Sequence, residues 1–318
     1  MKEYNCKNGG ECEDLASCKR CRLFKCLTVG MNAHGVGTSK FNDEQIMAFA
    51  ERMKEHPGKS AVLNSPPEQK DLINFILVKN LLQIEEKVRR IRYSETPIPE
   101  LFYTQSPLLM DLLCVFEIGK TFPFFEQLNN NDKIALCSNI AMPLYVLCSS
   151  FYSVEQNCDA LCTPDGVLAI NIFKNSYYKQ DSVFMTMGDK LLRKAVQSFI
   201  RIKLSNEEFV LIRAIIYSHM VSPGLSDQAQ KLLRSEAEKY SALLMNVVQT
   251  NYGPAAGALR YVELMGLIVS IFNTGAKHRQ LLSYISNVLD PNFDKVFPPV
   301  LAKICTKGPV ESHQLFPY

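Results

Sequence analysis

The sequence predicts an all-α fold, a layered helical sandwich with one short β-hairpin, preceded by a small cysteine-rich module. Three observations carry this expectation. Apolar residues from Asp71 onward recur at helical spacing, several segments are apolar on nearly every side, and five of the eleven cysteines crowd into the first 26 residues. A helix with little polar face must lie between other helices, so such segments imply layers and not a simple bundle.

At the N-terminus the order is Cys6-x5-Cys12-x5-Cys18-x2-Cys21-x4-Cys26. Two cysteines across a short loop, followed by a Cys-x2-Cys that opens a helix, can set four thiolates tetrahedrally around one Zn²⁺. Such a site would supply much of the folding energy of so small a segment. A redox pair at Cys18 and Cys21, or unrelated thiols, are the competing readings; the redox reading wants a strand before the pair, and none is indicated. Charge is as uneven as cysteine: residues 1–40 hold seven Lys/Arg against four Asp/Glu, and the rest of the chain holds 28 of each. A basic, cysteine-rich end on a neutral body suggests a nucleic-acid module joined to something that is not one.

Residues 32–40 are small and flexible, Phe41–Glu55 could form a short amphipathic helix, and His56–Gln69 returns to Pro, Gly and Ser, which places a hinge over residues 32–66. Beyond it, Leu72, Phe75, Ile76, Val78, Leu81, Leu82 and Ile84 keep helical spacing, and the run from Glu85 to Arg90 reads as a solvated charged face. Ser205 with Glu208 forms a capping-box pattern opening the segment Phe209–Met220; Asp132–Phe151 and Ala258–Phe272 are similarly apolar. Gly166–Phe173 is the stretch that reads as a hairpin. The six cysteines after residue 100 sit in apolar surroundings and read as packing thiols. Apolar runs are broken before about 18 positions accumulate, so no membrane span is expected. The opening residues carry no secretory pattern, which predicts a reducing compartment. Five scattered histidines, no phosphate loop and no nucleophile elbow argue against an enzyme.

The stretch Cys18-Lys19-Arg20-Cys21-Arg22-Leu23-Phe24-Lys25-Cys26 through Gly30-Met31 resembles the end of a nuclear-receptor DNA-binding domain. The resemblance implies that Cys6, Cys12, Cys18 and Cys21 are zinc ligands and Cys26 a buried non-ligand. It also implies that Arg22 and Lys25 contact phosphate or pack the finger helices; ordinary solvated charges are the alternative. Only the second of the family's two zinc modules is recognisable, and the base-reading helix belongs to the first. The loop between the second and third ligands is Glu13-Asp14-Leu15-Ala16-Ser17, five residues where the family has nine, and its acidity opposes phosphate. Weak DNA binding is the expectation from these residues.

The stretch from Ile118 to Leu136, with Gly119, Lys120, Pro123, Phe125, Leu128, Asp132 and Lys133 in order, resembles the signature of the nuclear-receptor ligand-binding domain. In that reading Phe125 and Leu128 anchor a turn and Asp132 caps the following helix. Segments at Leu204–Ile215 and Arg260–Met265 resemble later helices of the same domain, and the whole is most similar to the expanded nematode-type nuclear receptors. The implied organisation is a partial DNA-binding domain over 1–31, the hinge over 32–66 and a ligand-binding domain over 67–318. The implied function is a DNA-binding regulator of RNA polymerase II transcription in the nucleus. Its implied partners are DNA, coregulator peptides, a second receptor chain as homo- or heterodimer, and an apolar small molecule. The alternative is a partner-binding regulator with little or no DNA binding, using the helix around Ala258–Phe272. Lys120 and Glu311 would grip the two ends of a coregulator helix, but Glu311 lacks apolar partners on its far side, which predicts weak ligand-driven activation. Where the family orients its ligand with an arginine, Ser149, Ser150, Phe151 and Tyr152 stand here, so the pocket is expected to hold a weakly anchored apolar ligand or to be filled by side chains.

Overall fold

The computed structural model describes Cys18 and residues 67–93, 107–290, 292–293 and 299–307. The linker, the helix expected over Phe41–Glu55, and Cys6, Cys12, Cys21, Arg22, Lys25 and Glu311 lie outside these residues; Cys18 is a half-buried free thiol. The chain divides into two compact units, Met1–Leu77 and Val78–Tyr318. The second unit is helical throughout its described elements. Helix α1 (Pro67–Arg92) runs into it, followed by α2 (Pro107–Lys120), the short α3 (Pro123–Gln127) and α4 (Asn130–Glu155). Then come α5 (Ala169–Lys174), α6 (Ser182–Ile202), α7 (Asn206–Tyr217), α8 (Asp227–Tyr252), α9 (Pro254–Tyr284) and a C-terminal turn of helix α10 (Pro299–Ala302), continued by a wider turn over Lys303–Lys307.

Helix α4 is the core element. Almost every residue from Ile140 to Ser153 is buried, which no surface helix allows, and α2, α6, α7 and α9 pack around it. Helix α9 in turn pairs with α8 and α6. The predicted layering is therefore present. Pro143 sits inside α4, and Gly275 of α9 crosses it closely: a Cβ at residue 275 would lie 2.8 Å from the Pro143 nitrogen. Helices α4 and α9 are both long and apolar enough to cross a membrane by length and composition alone. In α4 that apolarity is consumed by the core. Helix α9 keeps an exposed row, Leu259, Val262, Gly266 and Val269, whose spacing of three and four places it on one face.

Three local expectations are corrected. The hairpin over Gly166–Phe173 is a single antiparallel bridge between Cys162 and Leu168, after which the chain enters α5. Gly166, at φ +81°, makes the turn, but the ladder stops once Asn171 N–H bonds back to the Leu168 carbonyl in helical fashion. Asp132 does not cap α4. Asn129 does, its side chain accepting from Asp132 N–H at 2.9 Å, and the Asp132 carboxylate instead accepts from the N–H and hydroxyl of Ser226, the residue capping α8, at 2.7 and 2.8 Å. The charged run Glu85–Arg90 is only half solvated. Glu86 and Arg90 pair at the surface, whereas Glu85 is 2% exposed and accepts from Tyr152 Oη (2.9 Å), Arg89 Nε (2.9 Å) and Arg213 Nη1 (2.5 Å). The Ser205 capping box is as expected, with both of its reciprocal hydrogen bonds formed. Its Glu208 also receives Arg260 of α9 at 2.7 and 2.8 Å.

Candidate functional site: an apolar cavity with polar corners

A cavity of about 110 Å³ lies among α2, α4, α5, α6 and α9. Its wall is mainly apolar, with Met142 from α4, Phe173 from α5, Leu192 from α6, and Leu281 and Leu282 from α9. The amphipathic pattern of α6 turns Leu192 inward together with Leu191, Ala195 and Val196. The C-terminal turn belongs to the same packing cluster: Leu301, Ala302, Ile304 and Cys305 are buried with Met142, Leu281, Leu282 and Ile285. Residues that wall the cavity are thus held in part by the end of the described chain.

Polar groups sit at its corners. Asp111 of α2 accepts from Ser149 Oγ at 3.0 Å and pairs with Arg92, whose guanidinium also lies 4.7 Å above the Tyr152 ring. No arginine occupies α4 near Ser149–Tyr152, as the sequence indicated, yet α1 delivers one to that neighbourhood from outside. On the opposite helix His278 is buried, with Nδ1 3.0 Å from the Thr274 carbonyl and its ring edge-on to Tyr145 at 5.8 Å. Burial pushes the His278 pKa down to about 4, so the ring is neutral at physiological pH. Neither Asp111 nor His278 was singled out by sequence reasoning. Signals existed: Asp111 is the lone acid in the apolar run Leu108–Phe116, and His278 falls three and four residues before Leu281 and Leu282 on the inward face of α9.

The predicted Lys120 ends α2, exposed and ion-paired to Glu117. Beside it, an apolar notch is lined by Val115, Phe116, Phe125, Cys137 and Ile140 and reaches Gly119. Its anticipated partner Glu311 lies outside the described residues, so the two are not brought together. The packing reading of the six later cysteines agrees with their surroundings: Cys148, Cys162 and Cys305 are buried, the others half-buried. Burial lifts Cys137 and Cys305 to about 12 and Cys148 to about 11, which makes them poor nucleophiles. Among the described residues no group of three or more His, Cys, Asp or Glu gathers for a metal.

A family profile described as the ligand-binding domain of nuclear hormone receptor matches residues 106–286, more than half of the chain. The chain belongs to the nuclear hormone receptor family. Relatives in Caenorhabditis elegans agree. Nuclear hormone receptor family member nhr-154 is 24% identical over 89% of this chain and 68% of its own length, and nhr-209 is 21% identical over 94% and 79%. The relative nhr-35 is 26% identical over 78% of this chain and 51% of its own length. The match begins one residue before α2 and ends just beyond α9, so it spans the Lys120 notch and the cavity wall apart from Phe293. The receptor is therefore a non-enzymatic, nuclear-receptor-type transcription regulator of the nematode kind.

Within the receptor, Gly119 is a buried glycine in the last turn of α2. A Cβ there would meet Tyr217 Cε1 at 3.3 Å and Phe125 at 3.9 Å, at the edge of the notch. Gly119→Ala is expected to raise stability by about 0.5 kcal/mol, the helix-propensity gain less the small shift of the Tyr217 ring. The urea midpoint should rise slightly; a clear fall would show that the ring cannot yield.

Proposed function

We propose that this receptor is a DNA-binding transcription factor that regulates RNA polymerase II transcription in the nucleus and is modulated by a small apolar molecule in the cavity. The observation that carries the ligand part is the packing of the C-terminal turn against the cavity walls. A molecule filling the cavity would favour that packing, and the free energy it contributes would bias the position of the C-terminus. Lys120, exposed at the end of α2, is the proposed first grip on a coregulator peptide, with Glu311 the proposed second. Cys6, Cys12, Cys18 and Cys21 are proposed to bind Zn²⁺; an all-thiolate set of this spacing suits zinc, which would fold the segment and present Arg22 and Lys25 to phosphate.

A second reading is favoured by the exposed row Leu259, Val262, Gly266 and Val269 on α9 together with the acidic loop Glu13–Ser17: a regulator that acts through a second receptor chain, as homo- or heterodimer, with little DNA binding of its own. A mobility-shift titration of the full chain separates the two. The first reading expects a weak shift that disappears on zinc chelation and falls steeply as salt rises. A chain that dimerises by sedimentation yet gives no zinc-dependent shift on any duplex would establish the second and overturn the first.

A further inference from the structure

Cys158 and Cys162 stand in the segment that leaves α4 and enters α5, and there they meet: the Cys158 thiol is hydrogen-bonded to that of Cys162. Both backbones are tethered to one residue in the last turn of α4. Cys158 N–H donates to the Ser153 carbonyl at 2.9 Å, and Cys162 N–H to the Ser153 hydroxyl at 3.0 Å. A Cys-x3-Cys turn fixed at both ends in this way keeps the two sulfurs side by side. Around them, the Cys162 thiol lies 3.2 Å from Gln156 Oε1 and the Cys158 thiol 3.7 Å from the Gln156 carbonyl.

Access is unequal, as a two-step closure requires. Cys162 is 5% exposed, whereas Cys158 is half-buried and flanked by the exposed Asn157 and Asp159. A reagent from solvent therefore reaches Cys158 first and finds Cys162 behind it. Ionisation gives the reduced pair no advantage. Burial, then the hydrogen bond and charge of Cys162, push the Cys158 thiol up to about 11. A dithiol without a stabilised thiolate is not held in its reduced form, and its disulfide is correspondingly a weak oxidant. The same shift slows attack and places closure on the minutes-to-hours scale of uncatalysed exchange.

We propose that Cys158 and Cys162 are a redox modification site that closes to an intramolecular disulfide by exchange with a low-molecular-weight disulfide of the glutathione class. The Cys158 thiolate attacks one sulfur of the oxidised reagent and releases one thiolate. The Cys162 thiolate then attacks the Cys158 sulfur and expels the second. Two electrons and two protons pass from the pair to the reagent, leaving one S–S bond in the protein and two free small thiols. Closure withdraws the Cys162 proton from Gln156, whose amide also donates to the Tyr93 hydroxyl and the Pro164 carbonyl. The modification is thus felt where the segment after α4 meets the end of α1.

The test equilibrates the full chain in buffers running from reduced to oxidised glutathione, quenches with acid, alkylates in denaturant and digests with trypsin and Asp-N. Cleavage before Asp159 and Asp165 puts the two cysteines in different peptides, Ile134–Cys158 and Asp159–Pro164. In oxidised buffer these peptides should appear mainly as one species joined at Cys158, and dithiothreitol should separate them. Cys158→Ser should lose the joined species completely, and Cys162→Ser should instead carry one glutathione on Cys158. The wild-type map decides alone if either variant does not fold. Alkylated Cys158 and Cys162 in fully oxidised buffer, a lasting glutathione on wild-type Cys158, or a link from Cys162 to Cys137 or Cys148 overturns the proposal.

Discussion

Arg213→Met is expected to cost about 3 kcal/mol of stability, the largest effect of any single substitution considered. Arg213 is 1% exposed, its Nη1 lies 2.5 Å from Glu85 Oε2, and its guanidinium covers the Phe209 ring at 5.1 Å. Methionine fills much of the same space, so the loss comes chiefly from leaving the Glu85 carboxylate buried with one cation fewer. Breaking a buried pair from one side typically costs about 3–5 kcal/mol; Arg89 and Tyr152 still donate to Glu85 here, which places the effect at the low end. The double variant Glu85→Met with Arg213→Met should be more stable than Arg213→Met alone, because no uncompensated charge remains. Urea unfolding with an unchanged m-value is the measurement. A double variant less stable than the single one would sink the argument.

Gly275→Ala is expected to destabilise by about 2–3 kcal/mol, at the upper end of ordinary overpacking. The added methyl would stand 2.8 Å from the Pro143 nitrogen and 3.1 Å from the Met142 carbonyl carbon. Those are backbone atoms of a core helix and cannot rotate aside. The change must push α4 and α9 apart or bend one of them, and helix propensity, which favours alanine by about 1 kcal/mol, only partly offsets this. The same substitution at Gly266, where a Cβ meets nothing within 4 Å, is the control and should be neutral or stabilising. Equal thermal midpoints for the two variants would refute the close-crossing account.

Features written in local spacing were readable from the sequence. The Ser205 capping box needs only four consecutive residues, and the buried character of α4 follows from composition within one helix, whereas the equally apolar α9 keeps Leu259, Val262 and Val269 exposed. The ordered set from Gly119 to Lys133 identified the domain because its members lie within two turns and a loop. What stayed hidden depends on residues distant in the chain. Glu85 looks like one more solvated carboxylate until Arg213, 128 residues later, is placed beside it. Asp132 looks like a helix cap because caps are local, whereas its real partner Ser226 is 94 residues away. His278 is hidden for the same reason: it is a wall residue because it packs edge-on against Tyr145 of α4, far earlier in the chain. The hairpin failed because Ile170 and Ile172 favour strands only where a ladder is available, and the bridge at Leu168 offers none beyond it.

The Asp132 carboxylate bears on how the domain assembles. It accepts from the Asn129 side-chain amide at the start of α4 and from the N–H and hydroxyl of Ser226 at the start of α8, and so ties the two helix starts together. Each helix start is capped locally, by Asn129 and by Ser226, but the tie between them forms only when the chain between, α5 through α7, has been threaded into place. Closing so long a loop is entropically unrewarded until that late moment, so this tie belongs to the last contacts formed and the first released. Fraying at one should be felt at the other, as a single opening event shared by two helices far apart in the chain.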